Sequence, residues 1–201
     1  MIIFNYVNKH KFLFVLVVLA LLFSGSIESA TLKIATLSPE GSDWMKVLRL
    51  SAKQIEEKTS GNVKLKIYPG GVMGDDKAVM RKMRIGQLQG AVLTSGGLVN
   101  SYKDIGIYGL PMLFRSQAEV DLTRSQIDAM LMRGLEAKGF MGFGLAGVGF
   151  AYPMSQIAAT SVSEVRKMKI WTPDNDLGAL TAFEAFSISP IPLPYGDVLM
   201  G

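Results

Sequence analysis

The chain has 201 residues, of which 49% are hydrophobic and 19% charged, and its formal net charge at pH 7 is +4. It contains no cysteine, and its single histidine, His10, lies in the N-terminal apolar segment. These counts exclude disulfides and thiolate chemistry, and outside that segment they exclude a Ser-His-Asp triad and histidine-ligated zinc. Basic and acidic residues are interspersed, so the chain has no basic block of the kind that binds nucleic acid.

Residues 1–30 have the pattern of a secretory signal peptide. Lys9 and Lys11 precede the twelve-residue run FLFVLVVLALLF, and small residues follow at Ser24, Ser26 and Ala30. The run is shorter than the roughly 20 residues of a membrane-spanning helix, although an uncleaved anchor is the alternative. We therefore expect export to the periplasm, which suits a chain without disulfides.

The first part of the mature chain alternates between strand and helix patterns. TLKIATL (31–37) predicts a strand, and Ser42 precedes a helix that ends near Gly61. The inward face of this helix is predicted to carry Trp44, Val47, Leu48, Ala52 and Ile55. VKLKIYP (63–69) predicts a second strand with Val63, Leu65 and Ile67 inward. A helix from Asp75 to Ile85 and a strand at 90–95 follow, so the order predicts a mostly parallel sheet.

The second part of the chain continues with a long helix and short elements. Ser116 and Glu119 have the spacing of a capping box for a helix that runs to Lys138. FMGFGLAG (140–147) and GFAYPMS (149–155) predict further strands. Ser161 and Glu164 predict a capped turn before the strand MKIWT (168–172), and a helix is expected over 176–186. YGDVLMG (195–201) has the pattern of the first turns of a helix.

Three stretches resemble known motifs but lack their context. GFGLAG (142–147) has the spacing of a dinucleotide-binding loop, yet the residues after it predict a strand and not a helix. GGVMGDDK (70–77) lacks the Walker A spacing, and Asp75 and Asp76 are expected to cap the helix dipole. DNDLG (174–178) is half of a calcium loop without the later acidic ligands. The sequence therefore predicts no cofactor and no metal.

Polar residues follow several predicted strands at the point where each strand ends. In open α/β sheets, ligands bind outside the carboxyl ends of the strands. Ordinary caps and turn residues are the alternative for any one of these positions. Taken together they favour a binding cleft in a protein that is not an enzyme, with catalysis through Glu40 or Asp174 as an alternative. The predicted ligand-binding residues are Ser38, Glu40, Trp44, Thr94, Ser95, Trp171, Thr172 and Asp174.

Four blocks of sequence resemble the solute-binding subunit of TRAP (tripartite ATP-independent periplasmic) transporters of the DctP type. In order, they are LKIATLSPEGSDW, EEKTSGNVKLKIYPGGVMGDDKAVMRKMRIGQLQGA, LPMLF and MKIWTPDND. The resemblance covers residues 31–201 and implies an α/β fold of the periplasmic solute-binding type. It implies a first lobe at 31–150, a hinge, and the start of a second lobe at 151–201. It also implies a monomer that captures a small organic acid and delivers it to a membrane permease driven by an ion gradient.

The sequence departs from the family pattern at its C-terminal end and at Trp171. Family members continue beyond the position matched by PLPYGDVLMG, so it implies an incomplete second lobe, and a non-functional fragment is one alternative. A periplasmic sensor that passes its ligand-bound state to a receptor is another. Many members place an arginine where this chain has Trp171, and such an arginine would pair with the ligand carboxylate. We expect Trp171 to line the cleft with its indole N–H free to donate, and core packing is the alternative.

Overall fold

A computed structural model of the chain describes residues 29–194 and Asp197. The predicted signal peptide lies outside the described residues except for Ser29 and Ala30, and the predicted helix at 195–201 lies outside them except for Asp197. Within the described residues, no helix has the length and apolar character needed to cross a membrane.

The first half of the described chain forms a three-stranded parallel sheet with helices between its strands. In chain order the elements are β1 (Ala30–Thr36), α1 (Asp43–Lys58), β2 (Val63–Tyr68), α2 (Asp76–Arg84), β3 (Gly90–Val92) and α3 (Ser95–Val99). The spatial order is β2-β1-β3, and β1 runs parallel to both neighbours. The parallel sheet predicted from the alternating patterns is therefore confirmed, and the carboxyl ends of its three strands meet at one edge.

The second half contains a long helix and a two-stranded parallel sheet. A 3-10 helix (Lys103–Gly109) precedes α4 (Gln117–Glu136), α5 (Val162–Val165), β4 (Trp171–Pro173), α6 (Leu177–Ala185) and β5 (Ile191–Leu193). Trp171 in β4 lies opposite Ile191 in β5. The capping box predicted at Ser161 and Glu164 is present in full at α5. At α4 only half of the predicted box forms, because the Glu119 carboxylate accepts the N–H of Arg115 and not that of Ser116.

Two clusters of buried apolar side chains hold these elements together. The first lies between the three-stranded sheet and α2 and is built on Ala35, Val79 and Leu88. The second lies between the 3-10 helix and α4 and is built on Ile105, Leu131 and Leu135. The first cluster includes Tyr68 and Leu93, at and just beyond the carboxyl ends of β2 and β3, and polar side chains share that edge with it.

The predicted inward face of α1 is partly wrong. Met45 is the buried residue, at 1% exposure, whereas Trp44 and Val47 are 44% and 63% exposed. Leu48 and Ala52 are half-buried as predicted, and Ile55 is 36% exposed. Apolar residues lie on two adjacent stripes of this helix, and helical periodicity alone does not decide which stripe faces the sheet.

The two strands predicted between 140 and 155 are absent. Residues 141–160 form neither helix nor strand, and Phe143 and Met154 are 97% and 94% exposed. An extended segment becomes a strand only when a neighbouring strand satisfies its backbone N–H and C=O groups. None of the five described strands pairs with this segment. The prediction of strands at 140–147 and 149–155 is therefore wrong.

Candidate functional site

The loops after β1 and β2 are bonded to each other at the carboxyl-end edge of the first sheet. The Ser38 carbonyl accepts the N–H of Gly70 at 2.9 Å, and the Thr36 carbonyl accepts the N–H of Gly71 at 3.1 Å. The Ser38 N–H donates to Thr36 Oγ1 at 3.1 Å. These bonds place Ser38, one of the predicted site residues, in a half-buried turn directly beyond β1.

The sequence had predicted that Thr94 and Ser95 end the third strand. They lie beyond β3 instead. β3 ends at Val92, and Thr94 is the N-cap of α3. Its Oγ1 accepts the N–H of Gly97 at 3.1 Å. Threonine competes for backbone donors in this way and is therefore favoured at helix starts over strand interiors. Both residues still lie at the predicted edge of the sheet.

Asp76 is the buried centre of this edge. The residue is 1% exposed, and its Oδ2 accepts from Thr94 Oγ1 at 2.5 Å and from Asn175 Nδ2 at 3.1 Å. Its Oδ1 is buried and has no hydrogen-bond partner among the described residues. Burial raises the pKa of the Asp76 carboxyl, while the hydrogen bonds from Thr94 and Asn175 act in the opposite direction.

The prediction that both acids cap α2 holds for one of them only. Asp75 is the N-cap, and its Oδ1 accepts the N–H of Ala78 at 2.7 Å. Asp76 points instead into the interior, toward Thr94 and Asn175. One N-cap position accepts one side chain, so the second of two consecutive acids needs a different environment.

The turn after β4 contacts the start of α2 at this edge of the first sheet. Lys77, on the first turn of α2, forms an ion pair with Asp174, whose side chain is 23% exposed. Thr172 is buried at 3% exposure and Trp171 is 37% exposed. The Trp171 Nε1–H donates to the Leu193 carbonyl at 3.1 Å. The expectation of an indole N–H free for a ligand is therefore wrong, because the neighbouring strand β5 supplies its acceptor.

Glu40 and Trp44 occupy the loop and first turn between β1 and the body of α1. The Glu40 carboxylate accepts two bonds from Arg49, from Nε at 2.8 Å and from Nη2 at 2.5 Å. The hydrogen bond from Arg49 lowers the pKa of Glu40. Glu40 is thus committed to a surface ion pair, while Trp44 is 44% exposed.

Sequence reasoning missed three residues of this edge, namely Asp76 as an interior acid, Lys77 and Asn175. The signal for Asp76 was present, because the pair Asp75-Asp76 exceeds what one helix start can use. The role of Asn175 had no local signal, since its partner lies 99 positions earlier in the chain. Throughout residues 29–194 and at Asp197, no three acidic or histidine side chains come together as a metal site would require.

A parallel α/β sheet with polar side chains gathered at the carboxyl ends of its strands is the arrangement of a ligand-binding protein. The family model for bacterial extracellular solute-binding protein family 7, DctP, matches residues 34–201. The chain belongs to this family. The resemblance to TRAP solute-binding subunits and the α/β fold expected from it are thereby confirmed.

Two relatives and one solved structure illustrate the similarity. The 2,3-diketo-L-gulonate-binding periplasmic protein YiaO of Escherichia coli K12 is 25% identical over 149 residues, which are 73% of this chain and 45% of YiaO. The C4-dicarboxylate-binding periplasmic protein DctP of Rhodobacter capsulatus is 27% identical over 165 residues, 77% of this chain and 48% of that protein.

The structural comparison agrees in fold. A TRAP periplasmic solute-binding protein from Sulfitobacter sp. NAS-14.1, crystallised with bound β-D-galacturonate, has a TM-score of 0.76 at 21% identity. The match covers 85% of this chain and 57% of the Sulfitobacter chain. This chain thus spans about half the length of the relatives it matches.

Proposed function

We propose that this chain binds a small organic acid in the periplasm, as the solute-binding subunit of a TRAP transporter. The family match over residues 34–201 carries the proposal. The names of YiaO and of DctP from R. capsulatus describe proteins that bind organic acids, and the ligand of the Sulfitobacter protein is a sugar acid. A carboxylate is the group that these ligands share.

The proposed cleft lies where the carboxyl ends of the first sheet meet the segment after β4. We propose that each sheet marks one lobe, with the first lobe at 31–150 and the second beginning at 151. Ser38, Thr94 and Ser95 would contribute from the first lobe, and Trp171, Thr172 and Asp174 from the second. Glu40, in the loop before α1, and Trp44, in the first turn of α1, complete the predicted set.

Lys77 is the cation that we propose for the ligand carboxylate. Its ion pair with Asp174 is partly exposed, with side-chain exposures of 49% and 23%. The Lys77 ammonium has three N–H donors and is half-exposed, so it can bind a ligand carboxylate while it keeps its pair with Asp174. This assignment gives the chain a carboxylate partner at the edge of the sheet although Trp171 stands at the position where an arginine was expected.

Thermal unfolding of the 201-residue chain, exported through its own N-terminal segment, tests the proposal. We expect D-galacturonate or succinate to raise the melting temperature, and D-galactose, which has a hydroxymethyl group in place of the carboxylate, to leave it unchanged. A ligand at a hundredfold excess over its dissociation constant stabilises the folded state by roughly 2.7 kcal/mol. Lys77→Gln should reduce the shift. No response to any organic acid, or an equal response to galactose, would refute organic-acid binding.

The transport role makes separate predictions. Residues 1–30 should direct the chain to the periplasmic fraction, and the ligand should be recovered chemically unchanged after incubation. A monomer is expected on size-exclusion chromatography. Binding with full retention in the cytoplasm would contradict the periplasmic role and leave the binding site itself intact.

A further inference from the structure

Three partly buried side chains link the 3-10 helix, α4 and the chain that follows α4. The Asp128 carboxylate accepts the Tyr108 hydroxyl at Oδ1, at 2.5 Å, and Arg124 Nε at Oδ2, at 3.0 Å. Arg124 Nη2 donates to the Leu145 carbonyl at 2.6 Å. The side chains of Arg124 and Asp128 are 32% and 26% exposed. We name Tyr108, Arg124 and Asp128 the α4 network.

The α4 network orients the guanidinium of Arg124. Because a guanidinium is planar, the bond from Nε to Asp128 fixes the direction in which Nη2 points. Asp128 is held in turn by Tyr108. Burial and the bond to Asp128 raise the pKa of Tyr108, so its hydroxyl keeps the proton that it donates. Arg124 therefore presents a charged donor to one backbone carbonyl, and such bonds are stronger than those between neutral groups.

Leu145 divides the chain after α4 into an attached part and an exposed part. Its side chain packs on the second apolar cluster, and before it a Cβ on Gly142 would lie 2.7 Å from Met132 Sδ on α4. After it, residues 146–158 are all exposed. Within the part of the chain that the structure describes, the Leu145 carbonyl is the one group of 141–159 with a hydrogen-bond partner outside that segment.

We propose that Arg124 is a positioning residue that fixes the point at which the chain leaves α4 and the first lobe. Its bond to the Leu145 carbonyl keeps the residues up to 145 on α4, so that movement of the following chain begins at Ala146. The two lobes are those of the proposed function. The attachment at Leu145 does not depend on ligand binding, so organic-acid binding can fail while the attachment stands.

Limited proteolysis with chymotrypsin tests the attachment, because Phe143 and Phe150 lie on either side of Leu145. Their exposed fractions are 97% and 40%. A protease binds several residues on each side of the bond that it cuts, so cleavage after Phe143 requires the Leu145 carbonyl to come free, whereas cleavage after Phe150 does not. In the wild-type 201-residue chain, mass spectrometry should detect the cut after Phe150 first, although Phe143 is the more exposed residue.

Replacing Arg124 should change one of the two cuts and not the other. Arg124→Ala should accelerate the cut after Phe143 roughly tenfold and leave the cut after Phe150 nearly unchanged. Arg124→Lys keeps the charge and a donor for Leu145 but loses the planar guanidinium, so it should restore part of the protection. Arg133→Ala, at an exposed arginine of the same helix, is the matched control and should leave both rates unchanged.

Asp128→Ala separates the attachment from the stability of α4. If Asp128 acts by orienting Arg124, the double variant Arg124→Ala with Asp128→Ala should be cut after Phe143 at the rate of Arg124→Ala alone. A wild type that is cut first after Phe143, equal acceleration of both cuts in Arg124→Ala, or no acceleration would each overturn the proposal. If Arg124→Ala does not fold, Arg124→Lys decides the question, and a ratio of the two cuts equal to that of the wild type then overturns it.

Discussion

Replacing Asp76 by asparagine should make the protein more stable at neutral pH than the wild type. Asp76 is 1% exposed, and its Oδ1 is buried with no partner among the described residues. Asp76→Asn keeps the shape of the side chain and the oxygen that serves Thr94 and Asn175, but removes the proton equilibrium. At low pH the protonated acid and the amide are closely similar, so the two proteins should then have similar free energies of unfolding.

The sign of the effect follows from the raised pKa of Asp76. An unfolded aspartate loses its proton near pH 3.9, about its ordinary value. In the folded protein the carboxyl keeps its proton to higher pH, so stability from this group is full below the unfolded pKa and is lost as pH rises through the folded pKa. The amide has no such loss. The difference in unfolding free energy should therefore grow in favour of Asp76→Asn as pH rises from about 4.

The magnitude depends on what replaces the orphaned oxygen. The amide nitrogen that replaces Oδ1 is as buried and, among the described residues, as unpartnered as that oxygen, so its desolvation, about 1–3 kcal/mol, offsets part of the advantage and the variant gains only through the pH-dependent cost of ionising Asp76. Urea unfolding followed by the fluorescence of Trp44 and Trp171 measures it at a series of pH values. The neighbouring charges of Asp75, Lys77 and Asp174 are present in both proteins, so their titration largely cancels in the difference. A wild type that gains on the variant as pH rises would refute the reasoning.

Three further predictions concern other parts of the fold. Gly97→Ala places a methyl group 2.6 Å from the Cβ of Asp76 and should destabilise the protein by about 1–3 kcal/mol in urea unfolding, whereas Gly147→Ala meets nothing within 4 Å and should be nearly neutral. Ser116→Ala removes the N-cap of α4 and should cost about 1 kcal/mol by the same measurement, with the mid-helix Ser125→Ala as the neutral control. The pKa of Tyr108 is raised by burial and by Asp128, so spectrophotometric titration should lose its latest tyrosine step in Tyr108→Phe, and an unchanged final step would contradict this assignment.

Sequence patterns correctly predicted the elements that are held by contacts between residues close together in the sequence. The starts of α1, α2 and α4 were predicted from Ser42, Asp75 and Ser116, because an N-cap hydrogen bond links residues only three positions apart. The parallel sheet was also predictable, because each strand and its following helix lie next to each other in sequence. The strands expected between 140 and 155 failed because pairing depends on a neighbour that local composition does not specify.

The candidate site shows the same division between local and distant information. The edge of the sheet followed from the strand ends, and Thr94 and Asp174 do contact the start of α2 there, Thr94 through Asp76 and Asp174 through Lys77. Asp76 was assigned to the helix dipole because the residues near it in sequence explain only a cap. Its two actual partners are Thr94, 18 positions away, and Asn175, 99 positions away. Side chains bonded across such separations are set by the packing of whole elements.

In the proposed cleft, a tryptophan at position 171 would divide the recognition of a ligand between two side chains. An arginine there would supply the positive charge, but an indole has none, and its N–H is bonded to Leu193. What Trp171 offers at 37% exposure is ring surface, which packs against the C–H faces of a sugar. The charge must then come from a cation such as Lys77, whose ion pair with Asp174 is partly open to water. A sugar acid would use both surfaces, whereas succinate would use only the cation.

In the thermal assay, D-galacturonate should therefore shift the melting temperature more than succinate, and Trp171→Ala should remove that advantage. If succinate is preferred and Trp171→Ala has no effect, Trp171 is a packing residue of β4 and β5 and not a wall of the cleft.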